Sequence, residues 1–335
     1  MFSGSLADFF ENRHDGGEKW DDVANEFDTK RAMKQIACGL MHLHGLELVH
    51  QDINPQNILI SSALPRQMLI SNFGRCKKLD EDQSSFLPTT NGASATGTVG
   101  WQAPEILRRH DELSAGNDSI LSQQGAIITT TGSSSGTTTP TTKIHLTKSI
   151  DIFSLGCLFY YIYTQGKHPY GNEIHREANI IEDNKDLSPI CSDEEALDLI
   201  TCMLDPDPSQ RPAIETCLVH PFFWSPTKRL NFLQEVSDRL ERLCKDKDAV
   251  LIRLERDAKR VFQHDWRQSL YSKFVEDLRK TRKYDGDSVR DLMRALRNKV
   301  TKSRAKNNFV LILTIFAISL RKAITKTFQT MLNSS

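Results

Sequence analysis

A change of hydrophobic period near residue 48 constrains the fold of this chain more than any other feature. From Thr29 to about Gly45, apolar and small residues recur at the spacing of a helix with one buried face. The short apolar runs at 48–49, 58–60 and 67–70 instead predict strands. Between the first two runs lies the largely polar stretch 50–57. A polar loop held between small β elements indicates a site of chemistry.

This polar loop carries His50, Asp52 and Asn57, which reproduce the spacing H-x-D-x-x-x-x-N of the protein-kinase catalytic loop. In that loop the aspartate accepts the proton of the substrate hydroxyl, and the asparagine helps to hold a magnesium ion at the nucleotide phosphates. The H-x-D pair alone would be weak evidence, because a histidine and an aspartate in a loop are more often capping groups.

Four further kinase signatures follow the loop in the order that kinases show. They are SNFG at 71–74, GTVGWQAPE at 97–105, DIFSLGC at 151–157 and SQRP at 209–212. This ordered set predicts the C-terminal lobe of a protein kinase, an α+β fold. In kinases Glu105 would pair with Arg211, and Asp151 would bind the main chain of the catalytic loop from a buried helix.

Longer strings resemble the inositol-requiring-enzyme family, the kinase/endoribonuclease sensors of the unfolded-protein response. These strings are GTVGWQAPEIL, IDIFSLGCLFYYIYTQGKHPYG, HPFFWSPTKRLNFLQEVSDRLE and KYDGDSVRDLMRALRNK. The similarity runs from about Gly4 to Lys299, and HQDINPQN also resembles the more distant RNase L. The resemblance implies a kinase-like domain at 1–224 followed by an all-helical ribonuclease (KEN-type) domain at 225–335, with a divergent tail after 299.

The resemblance also implies an activity, ligands, partners and a location. The activity is that of a Ser/Thr protein kinase and endoribonuclease, with ATP and magnesium for the kinase and no cofactor for the ribonuclease. The partners are RNA and a second copy of the chain or an intact relative, as a homodimer or mixed dimer. The location is the cytosolic face of the endoplasmic reticulum, or the cytoplasm if this chain is complete.

The kinase residues depart from the family at several functional positions. Asp52 matches the catalytic aspartate, and Asn57 and Asn72 match the positions that bind the nucleotide and the metal. Asn72, however, replaces the aspartate of D-F-G, and a neutral amide is a poorer ligand than a carboxylate for a hard cation. Asn54 replaces the catalytic-loop lysine and Gln51 replaces the arginine of H-R-D. We therefore expect phosphotransfer to be degenerate.

The sequence before His50 contains neither a G-x-G-x-x-G loop nor a V-A-I-K strand. The roof of the nucleotide site is therefore not expected in this chain. Two explanations stay open: an incomplete gene product or gene model, and a protein that works without that lobe.

In the ribonuclease part, DWR at 265–267 and several residues from Tyr284 onward match the family. There, a tyrosine and a histidine exchange protons without metal, and an Arg-Asn pair holds the scissile phosphate. Tyr284, Arg297 and Asn298 fall on the matching positions. Lys302 stands where the histidine should be, and lysine, with a pKa of about 10.4 in solution, is a poor proton shuttle at neutral pH.

Helical spacing at 288–298 puts Val289 and its apolar neighbours on one face and three arginines on another. Without the resemblance, Arg290, Arg294 and Arg297 would be a solvated helix face. The resemblance changes this interpretation for Arg297 alone. Upstream, the three- and four-residue spacing of leucine and valine at 226–262 predicts a long amphipathic helix that links the two domains.

Composition adds four expectations. Residues 111–143 are rich in Ser, Thr and Gly, and we interpret them as a disordered insertion. The apolar run at 309–320 is shorter than the ~20 residues that a membrane span needs, so we favour a buried helix or a tail over the alternative, attachment to a membrane. The formal net charge is zero, so any basic surface must be local. The seven cysteines form no C-x-x-C pair and suggest buried thiols in a reducing compartment.

Three functions remain after this comparison of matches and departures. The first is the family's kinase and endoribonuclease activity with degenerate phosphotransfer. The second is a catalytically inactive pseudokinase that dimerises with intact relatives. The third is a ribonuclease that keeps slow activity through Tyr284, Arg297 and Asn298 alone.

Overall fold

The computed structural model describes residues 2–12, 18–79, 98–108, 147–242, 249–256, 258–261, 264–269, 272–280 and 282–300. The chain divides into two compact units, residues 1–223 and 224–335. The predicted insertion at 111–143, Lys302 and the apolar run at 309–320 lie outside the described residues. Within the described ranges, no helix combines the length and the apolar character that crossing a membrane requires.

The described part of the first unit combines five short strands with a larger set of helices. The strands are β1 (Phe2–Ser5), β2 (Leu48–Val49), β3 (Ile58–Ser61), β4 (Met68–Ile70) and β5 (Lys77–Lys78). The helices are α1 (Leu6–Asn12), α2 (Glu18–Glu26), α3 (Thr29–Gly45), α4 (Ser149–Tyr163), α5 (Arg176–Ile181), α6 (Glu194–Met203) and α7 (Ile214–Val219). Strands β1, β3 and β4 form an antiparallel sheet in that order, and β2 pairs with β5. The three strands predicted from the sequence are thereby confirmed.

Helix α3 begins and ends where its apolar period predicts. The Asp28 carboxylate caps its first turn by accepting a hydrogen bond from Arg31 N at 2.6 Å. Its apolar face, which includes Met33, Ile36 and Leu40, is completely buried. The helix therefore backs the sheet that carries the catalytic loop.

Helix α4 is the centre of the first core, and all its residues from 150 to 162 are buried. Close packing explains Gly156, because a Cβ at this position would lie 2.9 Å from Met203 Cβ on α6. Burial also raises the pKa of the Cys157 thiol far above its ordinary value. The expectation of buried thiols was wrong for three cysteines that are exposed, Cys38, Cys191 and Cys202.

The second unit contains only helical elements in its described residues, joined by loops such as 282–288. Its helices are α8 (Pro226–Arg242), α9 (Ala249–Arg256), α10 (Ala258–Val261), α11 (Ser272–Arg279) and α12 (Val289–Val300), with a 3-10 turn at Trp266–Ser269. The segment predicted as one long helix thus contains α8, α9 and α10, with residues 243–248 and 257 outside the described ranges. Leu233, Val236 and Leu240 of α8 are buried in a core with Leu292 and Leu296 of α12.

Candidate functional site

The first candidate site is the loop after β2, where Asp52 is almost fully buried. One carboxylate oxygen, Oδ1, accepts hydrogen bonds from Asn54 Nδ2 at 2.9 Å, Thr98 N at 2.9 Å and Thr98 Oγ1 at 2.8 Å. The other oxygen accepts from Asn57 Nδ2 at 3.0 Å and lies 4.0 Å from Arg75 Nε. Both oxygens of the matched catalytic aspartate are therefore held by the protein itself.

These contacts set the charge of Asp52. Burial by itself raises the pKa of this carboxyl, but the hydrogen bonds from Thr98 and Asn57 and the positive charge of Arg75 oppose it and leave the pKa below its ordinary value. Asp52 is accordingly ionised at neutral pH.

Asp151 fixes the main chain of the loop from helix α4, as its motif predicts. Its Oδ2 accepts from His50 N and its Oδ1 from Gln51 N, each at 2.8 Å. The fully buried carboxylate also lies 2.9 Å from His44 Nε2. These bonds support the left-handed backbone of Gln51, whose φ is 68°. His44 is a supporting residue that the motif search did not identify, because it lies on α3, outside the signature strings.

The predicted pair of Glu105 and Arg211 is also confirmed. Arg211 Nη1 and Nη2 donate to the two carboxylate oxygens of Glu105, both at 2.8 Å. The guanidinium is buried and lies over the ring of Phe153, 5.1 Å from its centroid. This bidentate pair ties the last residue of the GTVGWQAPE string, Glu105, to the helical core.

Asn57 and Asn72, the residues matched to metal ligands, contact each other directly. Asn72 Nδ2 donates to Asn57 Oδ1 at 3.1 Å, and Asn57 Nδ2 donates to Asp52. Magnesium prefers octahedral sets of oxygen ligands that include carboxylates. Here the amide oxygen of Asn57 already accepts a hydrogen bond from Asn72, and both oxygens of the Asp52 carboxylate accept hydrogen bonds from the protein. The residues as they stand do not fit a magnesium ion.

The same conclusion holds for metal sites of other composition. Across the described ranges, no three side chains of His, Cys, Asp or Glu gather as a set that could hold a metal ion.

The second candidate site lies in the second unit, where Tyr284, Asn298 and Arg297 form a hydrogen-bonded row. Asn298 Nδ2 donates to Tyr284 Oη at 3.2 Å, and Asn298 Oδ1 accepts from Arg297 Nε and Nη2, each at 3.3 Å. Tyr284 precedes α12, and the other two residues lie near its C-terminal end. The structure thus brings Tyr284 into contact with Asn298, which lies 14 residues later in the sequence.

Arg297 also contacts an acidic residue of helix α8. Its Nη1 donates to Asp238 Oδ1 at 2.9 Å, and the Asp238 side chain is 63% exposed. This contact puts a carboxylate beside the guanidinium that is matched to phosphate binding.

The interpretation of Arg290 and Arg294 as a solvated face was wrong, because both are buried. Arg294 pairs with Glu241 of α8 through Nε and Nη2 and with Asp291 Oδ1 at 2.8 Å. Arg290 Nη2 donates to the main-chain oxygen of Glu241 at 3.3 Å. Helical periodicity reports polarity only, and Glu241, which both arginines contact, lies 49 and 53 residues before them in the sequence.

Two groups outside the predicted set fix the segment around Tyr284. The Glu255 carboxylate of α9 accepts from Ser288 Oγ, Val289 N and Arg290 N at 2.8 to 3.0 Å, and so caps the start of α12. Arg267, of the matched string at 265–267, donates to Tyr284 O at 2.9 Å. The sequence carries no signal for the Glu255 cap, because that residue is remote from the helix start.

Comparisons with known proteins agree with the division of the chain into units 1–223 and 224–335. The protein kinase domain model matches residues 3–119 and 140–223, and the ribonuclease 2-5A model matches residues 229–310. The predicted fold class, a kinase-like α+β domain followed by a helical ribonuclease domain, is thereby confirmed.

Individual relatives point to the same branch. The serine/threonine-protein kinase/endoribonuclease IRE1 of Hypocrea jecorina is 42% identical over 88% of this chain and 24% of its own length. The sensor for unfolded proteins in the ER ire1 of Schizosaccharomyces pombe is 41% identical over 84% of this chain and 26% of its own length. The human serine/threonine-protein kinase/endoribonuclease IRE2 is 37% identical over 80% of this chain and 26% of its own length. The chain spans about a quarter of the length of these relatives. It therefore belongs to the protein kinase family, in the branch of the inositol-requiring kinase/endoribonucleases.

Proposed function

We propose that this chain is an RNA-processing protein of the endoplasmic-reticulum unfolded-protein response, acting on the cytosolic face of that membrane, in which the kinase-like unit has lost most phosphotransfer. The observation that carries the proposal is the hydrogen-bonded row of Tyr284, Asn298 and Arg297. These residues match the ribonuclease site of the family and lie within contact distance of one another.

The row offers part of the chemistry that metal-free RNA cleavage needs. One group must take the proton of the 2′-hydroxyl as its oxygen bonds to phosphorus, and another must give a proton to the 5′-oxygen as its bond to phosphorus breaks. The Tyr284 hydroxyl accepts from Asn298 and keeps its own proton for a reacting oxygen. Arg297 would stabilise the negative charge on the phosphate. Lys302 occupies the matched position of the second proton-transfer group, so we expect slow cleavage.

The kinase-like unit supports weaker chemistry. A catalytic aspartate must accept the proton of the substrate hydroxyl, yet both oxygens of Asp52 already accept hydrogen bonds from the protein. The contact between Asn57 and Asn72 takes up the oxygen that would face magnesium. We therefore propose that ATP, if bound, serves as a ligand and not as a phosphate donor.

RNA cleavage tests the proposal directly. The full chain should cut a stem-loop RNA slowly in the presence of a metal chelator, and Tyr284→Phe and Arg297→Gln should each lower the rate by about 10²-fold or more. Arg242→Gln, which neutralises an exposed arginine on the same unit, is the matched control and should leave the rate unchanged. Cleavage that survives both site variants would contradict the proposal.

The contact between Asn57 and Asn72 also favours a second candidate, a pseudokinase that works by pairing with intact relatives. Such a protein would form a homodimer or a mixed dimer, measured by sedimentation, and would alter the relative's RNA cleavage. Its effect would persist in the Tyr284→Phe variant, whereas an effect due to its own ribonuclease site would disappear.

A further inference from the structure

A cavity of about 320 Å³ opens in the second unit beside the ribonuclease row. It is lined by the 3-10 turn at Trp266–Ser269, by α11 and by residues 282–284. The buried side chains of Trp266, Val275 and Leu278 form its floor. Its volume lies near the lower end of the range of about 300–1,000 Å³ for small-molecule sites. The cavity therefore suits one small ligand and not a helix or a duplex.

The other lining residues give the cavity a positive rim. Arg267, Arg279, Arg282 and Lys283 line it, and within the described part of the chain none of the lining residues is acidic. The nearby Asp265 pairs with Arg267 through Nε at 2.8 and 2.9 Å and offsets that charge. Arg279, Arg282 and Lys283 are exposed, so three positive charges remain at the mouth.

This combination selects a class of ligand. Arginine and lysine bind phosphate oxygens through charge-assisted hydrogen bonds, and apolar or aromatic floors accept the flat face of a nucleobase. A ligand that is wholly apolar would leave the cations unused, and a bare phosphate would leave the floor unused. The ligand that matches both features is a nucleoside phosphate.

The position of the cavity links this ligand to the ribonuclease row. Tyr284 lines the cavity, and its hydroxyl accepts from Asn298, the neighbour of Arg297. A nucleotide in the cavity would therefore adjoin a phosphate held by Arg297. We propose that this basic cavity binds the nucleotide next to the scissile phosphate of an RNA strand. The choice of RNA as the ligand rests on the proposed function, whereas the choice of a nucleoside phosphate follows from the cavity alone.

The test uses the full chain and two kinds of probe. The first is the set of four nucleoside 3′-monophosphates, with free nucleosides and inorganic phosphate as comparisons, measured by isothermal titration. The second is a short single-stranded RNA, measured by fluorescence anisotropy at several salt concentrations. The cavity variant is Arg279→Gln/Arg282→Gln. The matched control is Arg242→Gln/Arg256→Gln, which removes two exposed arginines away from the cavity.

We expect the nucleotides to bind more tightly than either comparison compound. The cavity variant, which removes two cations, should weaken nucleotide binding by about tenfold or more, because the loss of even one charge-assisted hydrogen bond has an effect of that size. It should weaken RNA binding as well and lower the salt slope by about 1. The control should leave nucleotide binding unchanged. Circular dichroism should show the same helix content for both variants.

Four outcomes would overturn the inference, and the first three concern relative affinities. One is that no nucleotide binds better than inorganic phosphate. Another is that the cavity variant binds nucleotides as the parent does. The third is an equal loss of RNA affinity in the cavity variant and in the control. A failure of the proposed function would look different, because RNA cleavage would then be absent or indifferent to Tyr284 and Arg297 while nucleotide binding could still depend on Arg279 and Arg282. Nucleotide binding without RNA binding would assign the cavity to a free nucleotide and overturn its role in RNA recognition.

Discussion

Arg297 Nη1 donates a hydrogen bond to Asp238 Oδ1 at 2.9 Å, so an acidic residue of α8 occupies part of the guanidinium that the proposed function assigns to phosphate. The opposite edge of the guanidinium, Nε with Nη2, contacts Asn298. A phosphate that needs two adjacent donors must therefore displace one of these partners. Asp238 is the more exposed of the two, and exposed ion pairs contribute only about 0.2–1 kcal/mol.

The first prediction follows from this competition. Asp238→Asn should tighten the binding of single-stranded RNA by a few-fold, because the phosphate no longer competes with a carboxylate. Glu235→Gln, on an exposed position of the same helix, controls for the general loss of negative charge. In the Arg297→Gln background, Asp238→Asn should have no effect beyond that of Glu235→Gln. A gain of equal size in that background would refute the competition.

The second prediction concerns the missing proton-transfer group. Lys302→His places an imidazole at the matched position, where it titrates near neutral pH. RNA cleavage should rise toward the factor of about 10²–10⁴ that general acid–base catalysis contributes. The rate of single-turnover cleavage of a stem-loop RNA measures this increase. The gain should vanish when Tyr284→Phe is added, and an unchanged rate for Lys302→His would mean that the histidine is not the limiting defect.

The third prediction concerns the kinase-like unit. The parent protein should transfer no phosphate from magnesium-ATP to a generic Ser/Thr substrate above background. Asn72→Asp replaces the amide that donates to Asn57 with a carboxylate, which is a better ligand for a hard cation. Manganese binding, measured by electron paramagnetic resonance, should therefore appear in this variant and weaken again when Asn57→Ala is added. Phosphate transfer by the parent that Asp52→Asn abolishes would contradict the first statement.

The fourth prediction concerns the stability of the second unit. Arg294 is buried between Glu241 and Asp291, so Arg294→Ala leaves two carboxylates without their shared partner. Breaking such a pair costs about 1–3 kcal/mol, less than for a fully buried pair because the Glu241 side chain is 29% exposed. Chemical denaturation should show this loss as a lower midpoint of the transition of the second unit. Arg242→Ala, on an exposed position, should change the midpoint little.

The fifth prediction is the pH dependence of the same contact. Hydrogen bonds from Arg294 hold the pKa of Glu241 below its ordinary value, although partial burial opposes them. The unfolded state therefore binds the proton more tightly than the folded state does. The stabilisation is complete above the unfolded pKa of about 4.3 and is lost as the pH falls through the lower folded pKa. Glu241→Gln should flatten this acid-side loss in unfolding curves, and an unchanged pH profile would show that Glu241 is not its source.

The sequence predicted those features that depend on local pattern or on a spacing fixed by function. Helix α3 has an apolar face at regular spacing, and the pair of Glu105 and Arg211 belongs to motifs that need each other for one structural role. The pairing of Arg294 with Glu241 could not be predicted in this way, since 53 residues separate the two. Periodicity shows that Arg294 is polar, but burial depends on whether a partner from another helix reaches it.

The same distinction applies to the candidate site, where some residues could be identified from the sequence and their tertiary contacts could not. The resemblance identified Tyr284, Arg297 and Asn298 from their positions in the matched string, and the structure places them in contact. It gave no information about Asp238, because the contact with Arg297 depends on how α8 packs against α12. Likewise, the replacement of the metal-binding aspartate by Asn72 was visible in the sequence, whereas the hydrogen bond that closes it against Asn57 depends on tertiary structure.

The cap that Glu255 places on α12 has a consequence for the order of folding. Most helices are capped by a side chain that is close in sequence to their first turn, but here the capping carboxylate lies 33 residues before Ser288. The chain between Glu255 and Ser288 must close into a loop before the first turn of α12 gains its cap. This closure loses chain entropy before the capping hydrogen bonds can form and offset the loss. Helix nucleation is itself unfavourable. The helix that carries Arg297 and Asn298 should therefore form late in refolding, together with the docking of α9, and hydrogen exchange can follow both events.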